Sequence, residues 1–172
     1  MQADNQLLLA NGSLLGQRYE LQQQLGAGGM GWVFRASDTR LNGQVVALKF
    51  LYPHLVSDGT AFSRFRNEVL VARKLIHPHI VRTYTFDTDA GHAYIVMEYV
   101  DGRTVRDLLQ KDYPEGMPYA QAVDIALSIA VGMHHSHSSG IIHRDLKPDN
   151  IMLSAAGEIK LSDFGLAATL RR

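Results

Sequence analysis

The sequence predicts an α+β fold in which a sheet-forming first part is followed by a helical second part. Up to about residue 100, short runs rich in β-branched and aromatic residues alternate with glycine-bearing turns, as in an antiparallel sheet. Beyond Asp101-Gly102, the apolar residues recur mainly at helical spacing. We expect a flexible N-terminal segment over 1–17, a five-stranded antiparallel part with one helix over 18–100, and an incomplete helical part over 101–172.

Five runs predict the strands of the first part, and turn-forming residues bound each of them. They cover residues 19–26, 32–38, 44–51, 80–86 and 93–100. Asn42-Gly43 is a strong hairpin signal, because this dipeptide tolerates the left-handed backbone that a tight turn requires. The polar residues 87–91 are expected to connect the last two strands.

The helix of the first part is predicted over residues 60–75. Its apolar residues recur on one helix face, and they are Phe62, Phe65, Val69, Ala72 and Leu75. Pro78 closes the stretch, because proline cannot continue a helix.

The second part is predicted to contain two helices and a small hairpin. Thr104 can cap a short helix that ends at residue 110, and Pro118 can open a longer helix that ends near residue 138. Gly140 supplies the stop signal for the longer helix. The hairpin strands are expected over residues 151–153 and 159–161.

Charge and cysteine content exclude several classes of protein. Lys plus Arg and Asp plus Glu number 17 each, so no net field favours nucleic acid or an anionic membrane. The absence of cysteine excludes disulfides and thiolate chemistry and fits a reducing cytoplasm. Residues 1–11 lack the basic and long apolar runs of a signal peptide or a membrane span. We expect a cytoplasmic protein without nucleic-acid or membrane contact.

A glycine-rich segment lies between the first two predicted strands. It consists of Leu25, Gly26, Ala27, Gly28, Gly29, Met30, Gly31, Trp32 and Val33. Glycines let the backbone approach phosphate oxygens and direct amide groups at them. A dinucleotide-binding fold would continue from such a segment into a helix, whereas Trp32-Val33-Phe34 continues as a strand. The alternative interpretation of the segment is a flexible hairpin turn.

Lys49 follows the apolar residues Val46-Ala47-Leu48 at the end of a predicted strand. We expect such a strand to be buried on both faces, where a lysine requires an anionic partner. Glu68 on the predicted helix can supply that partner. The alternative is a surface lysine whose aliphatic stem packs along its neighbours. The position of Lys49 after the glycine-rich segment favours phosphate binding.

The run His143-Arg144-Asp145-Leu146-Lys147-Pro148-Asp149-Asn150 is followed by Asp163-Phe164-Gly165. The two motifs offer an aspartate as a base, a neighbouring lysine, and an amide and a carboxylate that suit Mg²⁺. Phosphoryl transfer from a magnesium nucleotide requires this combination of groups.

Taken in order and spacing, these motifs with Lys49 and Glu68 match the signature set of the protein kinases. The chain resembles a serine/threonine kinase of the eukaryotic-like type found in bacteria, because of its Gly-Gly-Met-Gly loop, His77-Pro78-His79-Ile80-Val81 and Lys147. The likeness runs from about Arg18 to the last residue. It implies a bilobal fold, with an ATP-binding N-lobe over 18–100 and a partial C-lobe over 101–172.

The resemblance implies ATP and Mg²⁺ as cofactors and a protein serine or threonine hydroxyl as the acceptor. Lys49, oriented by Glu68, would hold the α- and β-phosphates. Asp145 would orient the attacking hydroxyl, and Lys147 would stabilise charge on the transferred group.

Asn150 and Asp163 would bind Mg²⁺ in this resemblance. Arg144 is typical of kinases in which this arginine pairs with a phosphorylated activation segment. His143 is expected to pack under Phe164 rather than to act as a base.

The resemblance also predicts the adenine pocket. Met97 would be the gatekeeper, and the backbones of Glu98 and Val100 would bind the adenine edge. The walls of the pocket would be Leu25, Val33, Ala47 and Met152. The alternative interpretation is that these residues belong only to the core.

No Ala-Pro-Glu motif follows Asp163-Phe164-Gly165, although the family carries one there. In the family, the apolar stripe of the helix over 118–138 packs against later helices. The stripe consists of Ala122, Ile125, Ala126, Ile129, Ala130 and Met133. We expect it to lack cover within this chain and to form a homodimer or bind a partner chain.

Two functions remain open at this point. The first is the catalytic core of an ATP-dependent serine/threonine protein kinase. The second is a truncated nucleotide-binding or interaction module with little or no transfer activity.

Overall fold

The structure is a computed structural model that describes residues 10–57 and 59–164, without the side chains of Ala61 and Arg64. Gly165, which ends one of the two motifs, lies outside the described residues. No helix in the described ranges is both long enough and apolar enough to cross a bilayer.

The described residues form nine strands and four α-helices. The strands are β1 (Leu14–Leu15), β2 (Tyr19–Gly28), β3 (Gly31–Asp38), β4 (Gln44–Leu51), β5 (Thr83–Asp89), β6 (His92–Glu98), β7 (Gly102–Thr104), β8 (Ile151–Ser154) and β9 (Ile159–Leu161). The helices are α1 (Pro53–Val56), α2 (Gly59–Ala72), α3 (Val105–Lys111) and α4 (Tyr119–Ser138). Short 3₁₀ turns occupy Thr39–Leu41 and Pro148–Asn150.

The chain divides into two compact units. Among the described residues, the first unit contains those from 10 to 63 together with 84–99, and the second contains 64–83 together with 100–164. The division after Tyr99 lies one residue from the predicted boundary. Residues 64–83 were expected in the first part, but Ala72, Leu75 and Ile80 pack in the core of the second unit.

The first unit contains a six-stranded sheet in the order β1-β2-β3-β4-β6-β5, one strand more than predicted. The additional strand β1 is too short to show a periodicity, and it lies in the segment 1–17 that was expected to be flexible. Leu15 of β1 is buried, and backbone hydrogen bonds join Gly12 and Ser13 to Leu21. Part of the N-terminal segment is therefore fixed by its pairing with β2.

The turns of this sheet that have left-handed backbone include the two that follow β3 and β5. Asn42 and Gly43 have φ of 52° and 79°, as the hairpin signal predicts. Strand β5 begins and ends three residues later than expected, because Ala90 and Gly91, with φ of 48° and 79°, form the tight turn to β6.

The core of the first unit lies against one face of the sheet. It consists of Leu15, Tyr19, Leu21, Phe34, Ala36, Val46, Leu48, Phe50, Tyr94 and Val96. Phe34 and Tyr94 both pack on Phe50, with ring centroids 5.6 Å apart in each pair. This aromatic group fixes β3, β4 and β6 relative to each other.

The second unit combines a three-stranded sheet, in the order β7-β8-β9, with α3 and α4. Thr104 caps α3 as predicted, in a reciprocal capping box with Asp107. Pro118 precedes the first residue of α4, and Gly140 follows the helix with φ of 73°. The predicted hairpin is confirmed as β8 and β9, and the short strand β7 extends it.

The prediction that the apolar stripe of α4 lacks cover within this chain was partly wrong. Ile125, Ile129 and Met133 pack against the core of the second unit. The apolar side chains that α4 exposes include Leu127 and Val131, which are 58% and 50% exposed, together with its alanines. Apolar residues occur around most of α4, so packing and not composition selects the buried side.

Candidate active site

The glycine-rich segment forms the β2–β3 hairpin, in which Ala27 pairs with Trp32 and Gly28 with Gly31. A Cβ atom added at Gly26, Gly28 or Gly29 would meet nothing within 4 Å. No described atom therefore occupies the space where a side chain at these positions would begin, and the backbone of this exposed loop is accessible. The backbone N–H of Tyr52 donates to the Met30 carbonyl at 2.9 Å and so fixes the turn from below.

Gly31 differs from the other glycines of the segment, because packing requires it. A Cβ atom there would lie 1.6 Å from the Phe50 carbonyl oxygen on β4. Only glycine therefore allows β3 and β4 to approach each other at this point.

The strand register brings several predicted site residues onto one face of the first sheet. Val33 lies opposite Lys49, and Ala47 lies opposite Met97. Directly paired residues share a face, so these four side chains share the face opposite the aromatic core. Gly26 on β2 pairs with Val33 and so lies next to this group of residues.

Trp32 and Leu25 are placed differently from these residues. Trp32 lies opposite Phe50, and its ring packs edge-on against Tyr52 at 4.6 Å between centroids. Its side chain lies on the core side of the sheet, so only its backbone can contribute to phosphate binding by the loop. Leu25 lies where the β2–β3 register shifts, and it is 44% exposed.

Lys49 is 6% exposed, although it carries a charge. The alternative of a surface lysine is therefore wrong. Burial of an ammonium group is unfavourable without compensation. The Lys49–Glu68 pair stays a prediction, because the two residues belong to different units.

The remaining residues predicted to bind adenine lie in different parts of the chain. Glu98 ends β6, Val100 follows it as part of the second unit, and Met152 lies on β8 opposite Thr104 and Lys160. The pocket that these residues were expected to complete stays a prediction.

Asp145 is the centre of a hydrogen-bonded network in the second unit. The Lys147 ammonium donates to its Oδ2 atom at 2.8 Å, and the Asn150 amide donates to the same atom at 3.0 Å. Asn150 also donates to the Asp145 carbonyl at 2.8 Å. The structure therefore brings together three residues that were predicted to act in one site.

The same network suits a magnesium ion. The Asn150 amide nitrogen donates to Asp145, which leaves its carbonyl oxygen, a hard ligand, as the atom that can meet a cation. Asp163 adds a carboxylate, and its φ of 63° marks a sharp turn after β9. Asn150 and Asp163 thus fit a metal that takes its other ligands from phosphates and water.

His143 is 1% exposed and supports this site by packing. Its Nδ1 atom accepts from the Asp145 N–H at 3.3 Å, so its Nε2–H donates to the Ser162 carbonyl at 2.8 Å. The ring lies 4.5 Å from that of Phe164, as expected. Burial lowers the pKa of His143, and both nitrogens are already engaged, so the ring stays neutral.

Glu68 makes a contact that the sequence did not reveal. Its Oε1 atom accepts from Arg144 at 3.0 Å, within the second unit. Arg144 is thus held by a carboxylate of α2, whereas the resemblance implied a phosphorylated segment as its partner.

Three further supporting contacts were missed. Ser162 donates from its backbone and its hydroxyl to the Asn150 carbonyl, at 2.9 and 3.2 Å. Arg106 on α3 pairs with Asp149 at 3.0 Å, next to Asn150. Tyr52 supports the glycine loop. In each contact one partner, Ser162, Arg106 or Tyr52, lies outside the motifs and is distant in sequence from the residue that it contacts.

The comparisons with known proteins agree with this geometry. The family model described as protein kinase domain matches residues 19–172. The serine/threonine-protein kinase PknB of Mycobacterium leprae is 46% identical over 160 residues, which cover 91% of this chain and 25% of the relative. A probable serine/threonine-protein kinase of Streptomyces coelicolor, SCO3848, is 44% identical over 163 residues, or 91% of this chain and 23% of that protein.

Solved structures show the same fold. The crystal structure of the Mycobacterium tuberculosis PknI kinase domain matches with a TM-score of 0.82 and 32% identity, over 93% of this chain and 62% of that one. The chain therefore belongs to the protein kinase family, and the curated relatives that it matches are named serine/threonine-protein kinases. It spans about a quarter of the length of the curated relatives. The predicted α+β kinase fold is confirmed, and nothing in the comparisons supports the interaction module.

Proposed function

We propose that this chain is the catalytic core of an ATP-dependent serine/threonine protein kinase, which transfers the γ-phosphate of Mg-ATP to hydroxyls of a protein substrate. The observation that carries the proposal is the convergence of Lys147 and Asn150 on Asp145 Oδ2. A carboxylate held at one oxygen by two donors is fixed in direction, as the orientation of an attacking hydroxyl requires.

The first unit would bind the nucleotide. The exposed backbone of Gly26, Gly28 and Gly29 has the open space that phosphate oxygens need. Lys49 would donate to the α- and β-phosphates from the sheet face that it shares with Val33 and Ala47. Those two apolar residues, with Met97, would contact the adenine ring.

The second unit would carry out the transfer. Asp145 would accept or orient the proton of the substrate hydroxyl. Lys147, 41% exposed, would stabilise charge on the transferred group. Asn150 and Asp163 would hold Mg²⁺, which supplies positive charge to the phosphates when bound.

We further propose the cytoplasm as the working compartment of this segment, in view of its lack of cysteine. We also propose that a second copy of the chain or a partner chain covers the exposed side of α4. The apolar side chains that would form this contact are Leu127 and Val131.

Nucleotide binding is tested first, on this chain. Mg-ATP at a hundred times its Kd should stabilise the chain by about 2.7 kcal/mol in thermal unfolding. Lys49→Met should lose most of this gain, whereas the same change at the exposed Lys111 should keep it. An equal gain in both variants would show that Lys49 does not hold phosphate.

Transfer is tested with Asp145→Asn, in this chain and in the longest natural product that contains it. The variant should bind Mg-ATP as the wild type does, yet transfer phosphate to a serine- and threonine-containing protein about 10²- to 10⁴-fold more slowly. Asp124→Asn, a matched change at an exposed position of α4, should transfer normally. Transfer by Asp145→Asn at the wild-type rate, or no transfer by any form, would overturn the proposal.

A further inference from the structure

A histidine-rich loop follows α2 and runs beside β9. The N–H of Val81 donates to the Leu161 carbonyl at 2.8 Å, and the N–H of Leu161 donates to the His79 carbonyl at 2.9 Å. The His79 ring adds a hydrogen bond from Nδ1 to the Ile159 carbonyl at 2.8 Å. These three bonds attach the loop, residues 77–81, to β9.

The loop also packs against α4 through a stack of imidazole rings. The rings of His77 and His135 lie 4.9 Å apart at an interplanar angle of 29°, and the His79 ring lies 5.5 Å from that of His77. Gly132 allows this approach, because a Cβ atom there would lie 3.1 Å from the His79 carbonyl oxygen. The three rings are therefore held within a close contact between the loop and α4.

The hydrogen bonds of the loop require a neutral His77. The backbone N–H of His79 donates to His77 Nδ1 at 3.1 Å, so this nitrogen is an acceptor. A protonated His77 would place an N–H opposite another N–H and lose the bond. His79 is not limited in this way, because its Nδ1 faces a carbonyl and donates in either protonation state.

The titratable groups that face His77 are His135 from α4, His79 from the loop and Lys160 from β9. The only charge that any of them can carry is positive, so none of them stabilises a protonated His77. Burial, together with these neighbours, lowers the pKa of His77 below its ordinary value.

We propose that His77, His79 and His135 form a pH-sensitive latch, which holds loop 77–81 against α4 and β9 at neutral pH and releases it in mild acid. A metal site is a less suitable interpretation, because no group of three or more His, Asp and Glu residues in the described ranges could hold a metal ion. The latch lies beyond the proposed catalytic function and does not depend on it.

The direction of the effect follows from proton linkage. Below pH about 6.5, an unfolded or opened His77 binds a proton that the closed loop disfavours. The closed state is therefore fully stabilised above that pH and loses stability as the pH falls towards the lowered pKa of His77. The loop follows the helix that carries Glu68 and pairs with the strand that leads to Asp163, so its release would loosen the support of both residues.

The latch is tested by amide hydrogen exchange of His79, Val81 and Leu161 at pH 7.5 and 5.5, corrected for the intrinsic rates. A pKa difference of one unit changes the opening equilibrium tenfold, so wild-type protection should fall by up to about tenfold at the lower pH. His77→Asn keeps an acceptor oxygen near the Nδ1 position and cannot titrate, so its protection should be the same at both pH values.

Two further variants keep the test decisive. His135→Phe keeps an aromatic ring in the stack and removes the titratable nitrogens, and it should show a smaller pH effect than the wild type. His134→Asn removes an exposed histidine from the same helix and should behave as the wild type does. The proposal is overturned if wild-type protection is equal at both pH values, or if His77→Asn and His135→Phe lose as much protection as the wild type.

Discussion

Gly31→Ala is the sharpest structural test of the glycine-rich segment. The added methyl group would lie 1.6 Å from the Phe50 carbonyl oxygen, so β3 and β4 must move apart. Overpacking costs about 1–3 kcal/mol, and a lost ladder hydrogen bond adds about 1 kcal/mol. We therefore expect the free energy of unfolding to fall by about 3 kcal/mol, or Tm by about 9 °C for a chain of this size.

The assay is urea unfolding followed by the fluorescence of Trp32, the only tryptophan of the chain. Trp32 packs on Tyr52 in the first unit, so its emission reports on the sheet that the substitution disturbs. Gly28→Ala is the matched control, since a Cβ there meets nothing within 4 Å, and its stability should change by less than about 0.5 kcal/mol. An equal midpoint for Gly31→Ala and the wild type would refute the close-approach argument.

Two further predictions concern single contacts. Thr104→Ala removes the acceptor of the α3 capping box and should lower the free energy of unfolding by about 1 kcal/mol, measured by urea titration with circular dichroism. Hydrogen bonding to Arg18 lowers the pKa of the buried Asp38 carboxyl, so its stabilising effect is present above the unfolded pKa of about 3.9 and is lost as the pH falls through the folded value. Asp38→Asn should therefore cost about 1 kcal/mol at pH 7, and its stability should fall less steeply than that of the wild type between pH 5 and 2, which acid titrations of unfolding can measure.

Local chemistry made part of the site predictable from sequence. Lys49 could be recognised because its apolar strand neighbours imply burial, and the structure confirms that burial. Thr104 and Pro118 were recognised because caps act within one helical turn. The residues of the 143–150 run lie close in sequence, so the turn Pro148–Asn150 brings Asn150 back to Asp145 without long-range packing.

Features that depend on distant pairing were not predictable in this way. Strands β1 and β7 have two and three residues, so neither contains a period, and each exists because a longer neighbour pairs with it. On α4, Ile129 and Ala130 look equally suited to burial, but only the packed core decides that Ile129 faces inward. The Glu68–Arg144 contact joins two motifs that the sequence presents separately.

His143 supports the backbone around the proposed site through its two ring hydrogen bonds. Arg144 and Asp163 both have left-handed backbone, with φ of 66° and 63°, which costs roughly 1–2 kcal/mol for a residue other than glycine. His143 directly precedes Arg144, and its Nε2–H donates to the carbonyl of Ser162, which directly precedes Asp163. One hydrogen bond thus joins the starting points of the two strained turns. Ser162 also donates to the Asn150 carbonyl, which connects the backbone next to Asp163 with Asn150. The Asn150 amide in turn donates to the Asp145 carbonyl. The neutral, buried ring of His143 therefore supports the backbone next to Asp145 and Asp163, and Asp145 is the residue that we propose as the base.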